Sequence, residues 1–393
     1  MNSSRFRAYL GAAATADTGF WIYTVASGWL VLGLTNSPFW LGTIAACGQL
    51  PYLLFSLYGG TLADRFDRRM LVAIGNALLA CVALALAALV AFGHVTILAL
   101  ALLAFAIGTI VAIEHPVDRA WLYDLVRGED LGRAIALSSL EWSVARTLGP
   151  ALGGIAVAIA GVALAFASLA ACVVPMIVLA LVLSRPGAGA SDAPGEHERL
   201  PAARTSTLDA VVRPFALLIA AFTIGITPYI TLLPDIAKNG LGLDARGFGI
   251  LGACGGGGAI VGALVLARIG DLRTKGRIVP VAMLVASALL FALTFARSPL
   301  VAGALLVAIG AIDTLVYALA NTYVQECAGD GDRGRANGIF SFAFLGGIPI
   351  GNFAVGALAG RVGTDAALDV AALGAACASV AFWCSAPRAR DAA

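Results

Sequence analysis

Charge is what this sequence lacks most. Asp, Glu, Lys and Arg make up 12% of its 393 residues, against about 25% in a typical soluble domain. Too few charged side chains are present to cover a water-facing surface of ordinary size. Histidine is scarcer still, with three residues (His94, His115 and His197) in no cluster. The seven cysteines form no CxxC pair and lie mostly inside apolar runs, so they read as small core residues. Neither a disulfide framework nor a metal site is expected, and no cofactor is implied. The phosphate-cradling pattern GxxxxGK[ST] does not occur, which argues against nucleotide-driven work by this chain. HExxH and GxSxG are also missing, so an enzyme is not expected.

What is present is apolar length. Hydrophobic residues make up 60% of the chain and the mean hydropathy is +0.92. The apolar runs are about 20 residues each, enough to cross ~30 Å of hydrocarbon as helices. A transmembrane β-barrel would instead show alternating segments of about ten residues. The reading is an all-α polytopic membrane protein with twelve spans. They fall near 8–34, 38–58, 70–92, 95–117, 135–159, 162–184, 214–236, 247–267, 278–296, 299–321, 336–360 and 364–385. The first run carries Asp17 and leads directly into a second span, so it reads as a retained helix and not a cleaved leader.

Most of the 25 basic residues fall on one side of this topology. The opposite side holds Lys238, Arg246, Arg297 and Arg361, and Arg146 lies within a span. The positive-inside rule places both termini in the cytoplasm, with the chain in the inner (plasma) membrane. The segment "SRPGAGASDAPGEHERLPAARTS" is too rich in Pro, Gly, Ala and Ser to build a core and reads as a linker. The expected organisation is a six-helix bundle over 1–184, a cytoplasmic linker over 185–212, and a second six-helix bundle with a short tail over 213–393.

The two halves repeat each other. "LGRAIALSSLEWSVARTLGPALGG" and "RGRANGIFSFAFLGGIPIGNFAVG" align at one fixed offset. Gly132, Arg133, Ala134, Ser139, Gly149 and Gly154 fall on Gly334, Arg335, Ala336, Ser341, Gly351 and Gly356. Duplicated halves suit alternating access around a site near the midplane.

Five charges crowd the end of "GGTLADRFDRR": Asp64, Arg65, Asp67, Arg68 and Arg69. A positive-inside anchor needs only the arginines and leaves the glycines and aspartates unexplained. Gly59 and Gly60 would let span 2 pack closely on a neighbour. Asp64 suits the positive end of an adjoining helix. The arginines suit acidic partners or lipid phosphates. This stretch resembles the signature loop of the major facilitator superfamily. "FWIYTVASGWLVLGLTNSP", "HPVDRAWLYDLVRGEDLGRA", "ARTLGPALGG" and "TLLPDIAKNGLGLDARGFGILGACGGGGAIVGAL" resemble its drug-exporter branch, the enterobactin-exporter-like and macrolide-exporter-like proteins. The resemblance covers most of the chain, excluding the linker and tail. It implies two pseudo-symmetric six-helix bundles. It also implies a gate in which Gly60, Asp64, Arg65, Asp67, Arg68, Arg69 and Arg119 join the halves in the outward-facing state. Asp64 would then meet the start of span 11 near Ala336 and Asn337, with Arg119 close by. Gly149, Pro150, Gly153 and Gly154 resemble the antiporter glycine–proline motif, and by composition also suit plain helix packing. The sequence departs from the family where relatives carry an acid before the span 1 tryptophan. Here that position is Phe20, and Asp17 lies one helical turn earlier.

Ionisable groups inside a membrane are costly and are functional candidates for that reason. Asp17 lies ~14 Å along span 1 and is a substrate or proton candidate. Arg146 needs a partner; Glu141 on its own helix and Asp17 on another are the options. Asp313 lies ~21 Å along span 10 from its outer end. Asp235 and Glu114 are placed at span ends, where solvation is easy. Tyr23, Gln49, Tyr229 and Asn352 are weaker candidates, since such residues more often make helix–helix contacts than ligand contacts. Pro228 and the run Gly255–Gly258 are places where helices can bend. The implied activity is export of small amphipathic molecules by a monomer, coupled to protons, with siderophore or lysolipid transport as an alternative. A transport-dead sensor or scaffold is the reading from another class. No nucleic-acid partner is expected.

Overall fold

A computed structural model describes residues 4–126, 130–183, 211–269, 274–328 and 333–390. Most of the expected linker, and Glu129 of the loop after span 4, lie outside the described residues. The helices α1 (Ser4–Thr35), α2 (Pro38–Arg65), α3 (Arg68–Ala91) and α4 (Ile97–Leu125) follow in order. The helix Leu131–Val182 is broken at Gly161, and its arms, 131–160 and 162–182, are α5 and α6. The seventh span, α7 (Arg213–Gly240), is followed by α8 (Ala245–Ile269), α9 (Lys275–Thr294), α10 (Pro299–Cys327), α11 (Arg333–Val362) and α12 (Thr364–Ser385). A short turn, Pro387–Arg390, ends the described chain.

Among the described residues twelve helices are therefore found where twelve spans were expected, but several run further than their apolar cores. α2 extends to Arg65 and α4 to Leu125, so polar residues that looked terminal sit inside helices. The α5–α6 turn is a single residue. Gly161 has φ 78° and ψ 171°, a region that only glycine enters without strain. The seventh span is interrupted after Gly225 and resumes at Pro228, because proline cannot donate to the preceding turn. By contrast, Gly255–Gly258 lie within an unbroken α8. Two of them, Gly256 and Gly258, serve close packing. A Cβ on Gly256 would lie 2.7 Å from Thr147 Cα, and one on Gly258 would lie 2.9 Å from Val307 Cα.

Large apolar side chains cover the outside: Leu300, Phe92, Phe342, Leu217 and Val182 are each more than two-thirds exposed. Such a surface suits lipid and not water. Cys81, Cys377 and Cys384 are exposed too, which corrects their reading as core residues, and all seven cysteines are free. Within the first half α1 packs on α5 and α6, and α2 on α4; within the second, α8 packs on α10, and α9 on α10 and α12. The halves meet through α2 with α11 and α5 with α8.

The internal repeat is visible in the packing. Arg68, at the start of α3, pairs with Asp124, near the end of α4, at 2.8 Å. Lys275, at the start of α9, pairs with Glu326, near the end of α10, also at 2.8 Å. Each half thus has a cation and a carboxylate joining its third and fourth helices at the same end of the molecule. That end is called the basic end below.

Candidate functional site

The loop Gly59–Arg69 lies at the basic end and divides into two parts. Arg68 donates to Asp124 at 2.8 Å and to the carbonyl of Ala63 at 3.1 Å. Asp67 caps α3 by accepting from the Arg69 backbone N–H at 3.1 Å, and it holds the Arg69 side chain at 2.8 Å. Arg69 also donates to the carbonyl of Leu183, just past α6. These contacts tie the loop to its own half. Asp64 and Arg65 are exposed. Gly59 packs against Ile113 and Pro116 of α4, as expected of it, whereas nothing lies within 4 Å of a Cβ on Gly60. The expected close approach at Gly60 is not found.

The halves close at the opposite end. Gly42 faces Gly356, with a Cβ on Gly42 falling 2.7 Å from Gly356 Cα. Gly154 faces Gly249, where the same test gives 2.9 Å. Trp29 stacks on Phe248 with centroids 6.0 Å apart, and Asn239 donates to Asn36 at 3.5 Å. At the basic end Gly132, Gly334 and Gly338 have open space, and Arg335 and Asn337 are exposed. Ala336 is buried, but Asp64 does not dock beside it in this state. The tight glycine-to-glycine contacts between the halves thus lie at the end away from Asp64.

The antiporter-like glycines work on two faces of α5. Gly149 and Gly153 admit α1, where Trp21 and Ile22 fill the space, while Gly154 admits α8. Pro150 is buried and meets Gly252.

Inside the first half Asp17 on α1 and Glu141 on α5 place their carboxyl groups in electrostatic range of each other. Glu141 Oε1 is buried with no hydrogen-bond partner. Two further acids on α4 stand in electrostatic range of Asp17, Glu114 and Asp118. Asn76 donates to Glu114 at 2.9 Å and Tyr9 donates to Asp118 at 2.6 Å. Arg119 stands in electrostatic range of Asp118 and Glu141. Sequence reasoning missed Asp118, Tyr9 and Asn76 and set Glu114 at a solvated span end. The structure corrects this, since α4 continues eleven residues beyond Glu114 to Leu125. The readable signal was Glu114 and Asp118 at i and i+4, on one helix face.

Arg146 is not paired with Glu141 or Asp17, which corrects both expectations. Five residues of helix separate Arg146 from Glu141 by ~140° around the axis, and Glu141 turns to α1 instead. Arg146 lies over the Trp21 ring, 6.0 Å from its centroid. From the second half it faces Tyr229 and Asp313. Tyr229 donates to Asp313 Oδ2 at 3.2 Å. Asp313 sits midway along α10, deeper than expected, because that helix runs on to Cys327. Its Oδ1 is buried without a partner.

The remaining candidates are placed as follows. Tyr23 is buried against Phe166 at 5.8 Å. Asn352 is buried and accepts from Thr231 at 3.0 Å. Gln49 is half-buried. Asp235, expected at a solvated end, is buried and accepts from Asn239 at 2.6 Å and from Thr364. Among the described residues no group of three or more His, Cys, Asp or Glu could hold a metal ion.

Residues 1–393 match the family model described as transmembrane secretion effector. Among curated proteins, the Staphyloferrin A transporter of Staphylococcus aureus (strain NCTC 8325 / PS 47) is 28% identical over 166 residues, 42% of each chain. The match thus spans less than half the length of that relative. Among solved structures, a peptide transporter in complex with sulfate gives a TM-score of 0.78 at 12% identity, covering 98% of this chain and 94% of the other. A bacterial homologue of the iron transporter ferroportin, inward-facing, gives 0.76 at 16% identity, covering 98% of both chains. A D-xylose–proton symporter gives 0.75 at 14%, covering 98% of this chain and 97% of the other. At these identities the likeness is one of fold. With a full-length family match and twelve spans in two repeated halves, the chain belongs to the transmembrane secretion effector family of major facilitator transporters.

Proposed function

We propose that the protein exports small amphipathic molecules by alternating access, exchanging them for protons, and acts as a monomer. It resides in the inner membrane with the basic end and both termini in the cytoplasm. Residues 185–212 link bundles spanning 1–184 and 213–393. In this orientation the present state faces inward. The observation that carries the reading is the Asp17–Glu141 carboxyl pair. In this reading the pair stores a proton inside the first half, and Arg146, Tyr229 and Asp313 line the cargo cleft between the halves. Protons entering this pair and cargo entering the cleft then bias the same two-state movement. Asp64 and Arg65, exposed in this state, meet the start of α11 when the basic end closes.

Purified protein in liposomes loaded with a pH-sensitive dye tests this. A cargo panel should produce dye responses that require both the compound and the protein. Cargo movement indifferent to an imposed pH gradient would remove the proton-exchange part. The match to a transporter of Staphyloferrin A supports a second reading, siderophore transport. Siderophores therefore belong in the panel.

A further inference from the structure

Two donors without acceptors stand close together where α1 packs on α5. The Arg146 guanidinium makes no ion pair among the described residues and lies over the Trp21 ring, 6.0 Å from its centroid. The Trp21 indole Nε1 is buried with no hydrogen-bond partner. Both groups can only donate. An unmatched guanidinium and an unmatched indole N–H at membrane depth are costly. A ligand that supplies acceptor oxygens and negative charge satisfies both at once. The planar fork of arginine matches a carboxylate bidentately. The apolar body of such a ligand has aromatic surface beside it, since Trp142 lies 6.0 Å from Trp21 and is partly exposed.

Across the cleft Asp313 faces the same guanidinium without reaching it, and its Oδ1 has no partner. Tyr229 holds the other oxygen at 3.2 Å. Asp313 is thus an internal counter-charge to Arg146, and a bound anion takes its place. From this arrangement we infer that the cargo site selects molecules carrying a carboxylate on an aromatic or apolar body, with Arg146 and Trp21 Nε1 binding the carboxylate. This deepens the transport reading above and rests on it. The chemistry differs from that of a cation exporter, in which the cleft would offer unmatched carboxylates alone.

The test uses full-length protein in nanodiscs and two probes of equal shape, 2-naphthoate and 2-naphthamide, with binding read by equilibrium dialysis. The naphthoate should bind about tenfold or more tightly than the amide, the loss typical of a missing charge-assisted hydrogen-bond pair. Arg146→Gln should remove that preference, and Arg146→Lys should retain part of it, which controls for folding. Asp313→Asn should tighten naphthoate binding, because the internal competitor is gone. Equal binding of the two probes, no saturable naphthoate binding, or weaker binding in Asp313→Asn overturns the inference. Proton-coupled movement of other compounds by a protein blind to the carboxylate would leave the transport reading standing alone. A carboxylate preference without any coupled proton movement would do the reverse.

Discussion

Asp17 on α1 and Glu141 on α5 bring their carboxyl groups into electrostatic range of each other inside the first half. Two neighbouring carboxylates repel when both are ionised, so such a pair is suited to taking up a proton. Asp17→Asn replaces a member of the pair with a group that donates permanently, so it should abolish compound-dependent proton flux in dye-loaded liposomes. Glu141→Gln should do the same. Neither change should lower the thermal unfolding midpoint in detergent, because each amide keeps the shape of the carboxyl it replaces and removes the repulsion between two neighbouring acids. Proton flux at the unsubstituted rate in both variants would show that the pair is structural.

The basic-end loop separates stabilising charges from mobile ones. Arg68→Ala removes a partly exposed ion pair with Asp124, and should cost at most about 1 kcal/mol, read as a small fall in unfolding midpoint. Asp64→Asn touches no partner in the present state. It should leave the midpoint unchanged yet reduce transport, by weakening the closed basic end. Spin labels at Arg65 and Asn337 should report longer mean distances in that variant. Unaltered distances and transport would remove the gate role.

Closure at the opposite end depends on backbones touching. Gly154 and Gly249 approach so closely that a side chain on either must displace the other helix. Gly154→Leu should therefore open that end. A cysteine placed at Asn36 should then react faster with an impermeant maleimide. Unaltered labelling would mean that this end closes by other contacts.

The α5–α6 turn offers a test of backbone strain alone. No atom lies within 4 Å of a Cβ on Gly161, so Gly161→Ala adds no clash. Its φ and ψ should nonetheless cost the variant about 1–3 kcal/mol, measured by denaturant unfolding in mixed micelles. No loss of stability would imply that the turn relaxes into another conformation.

Twelve spans, the repeat and the family were readable because each depends on local pattern: apolar length, charge between runs, and one motif repeated at a fixed offset. Helix ends were read less well. Apolar length marks where lipid begins, not where helical hydrogen bonding stops, so Glu114 and Asp313 were placed too near their ends. Arg146 shows the deeper limit. Its charge announced a need for a partner, and the same-helix option failed on angular register alone. Nothing along the chain could choose between the remaining helices.

Composition and order along the chain thus settled that this protein crosses a membrane many times, in two related halves, with a charged loop of recognisable type. Lipid admits few backbone solutions, and apolar length selects among them. Only the tertiary structure decided that Asp17 stands near Glu141, that Arg146 faces Trp21, Tyr229 and Asp313, and that the halves touch most tightly at the end away from Asp64. Those relationships depend on how each helix is rotated and which neighbour it packs against. Side-chain volumes and glycine contacts from separate segments set that rotation together, so no single stretch of sequence specifies it.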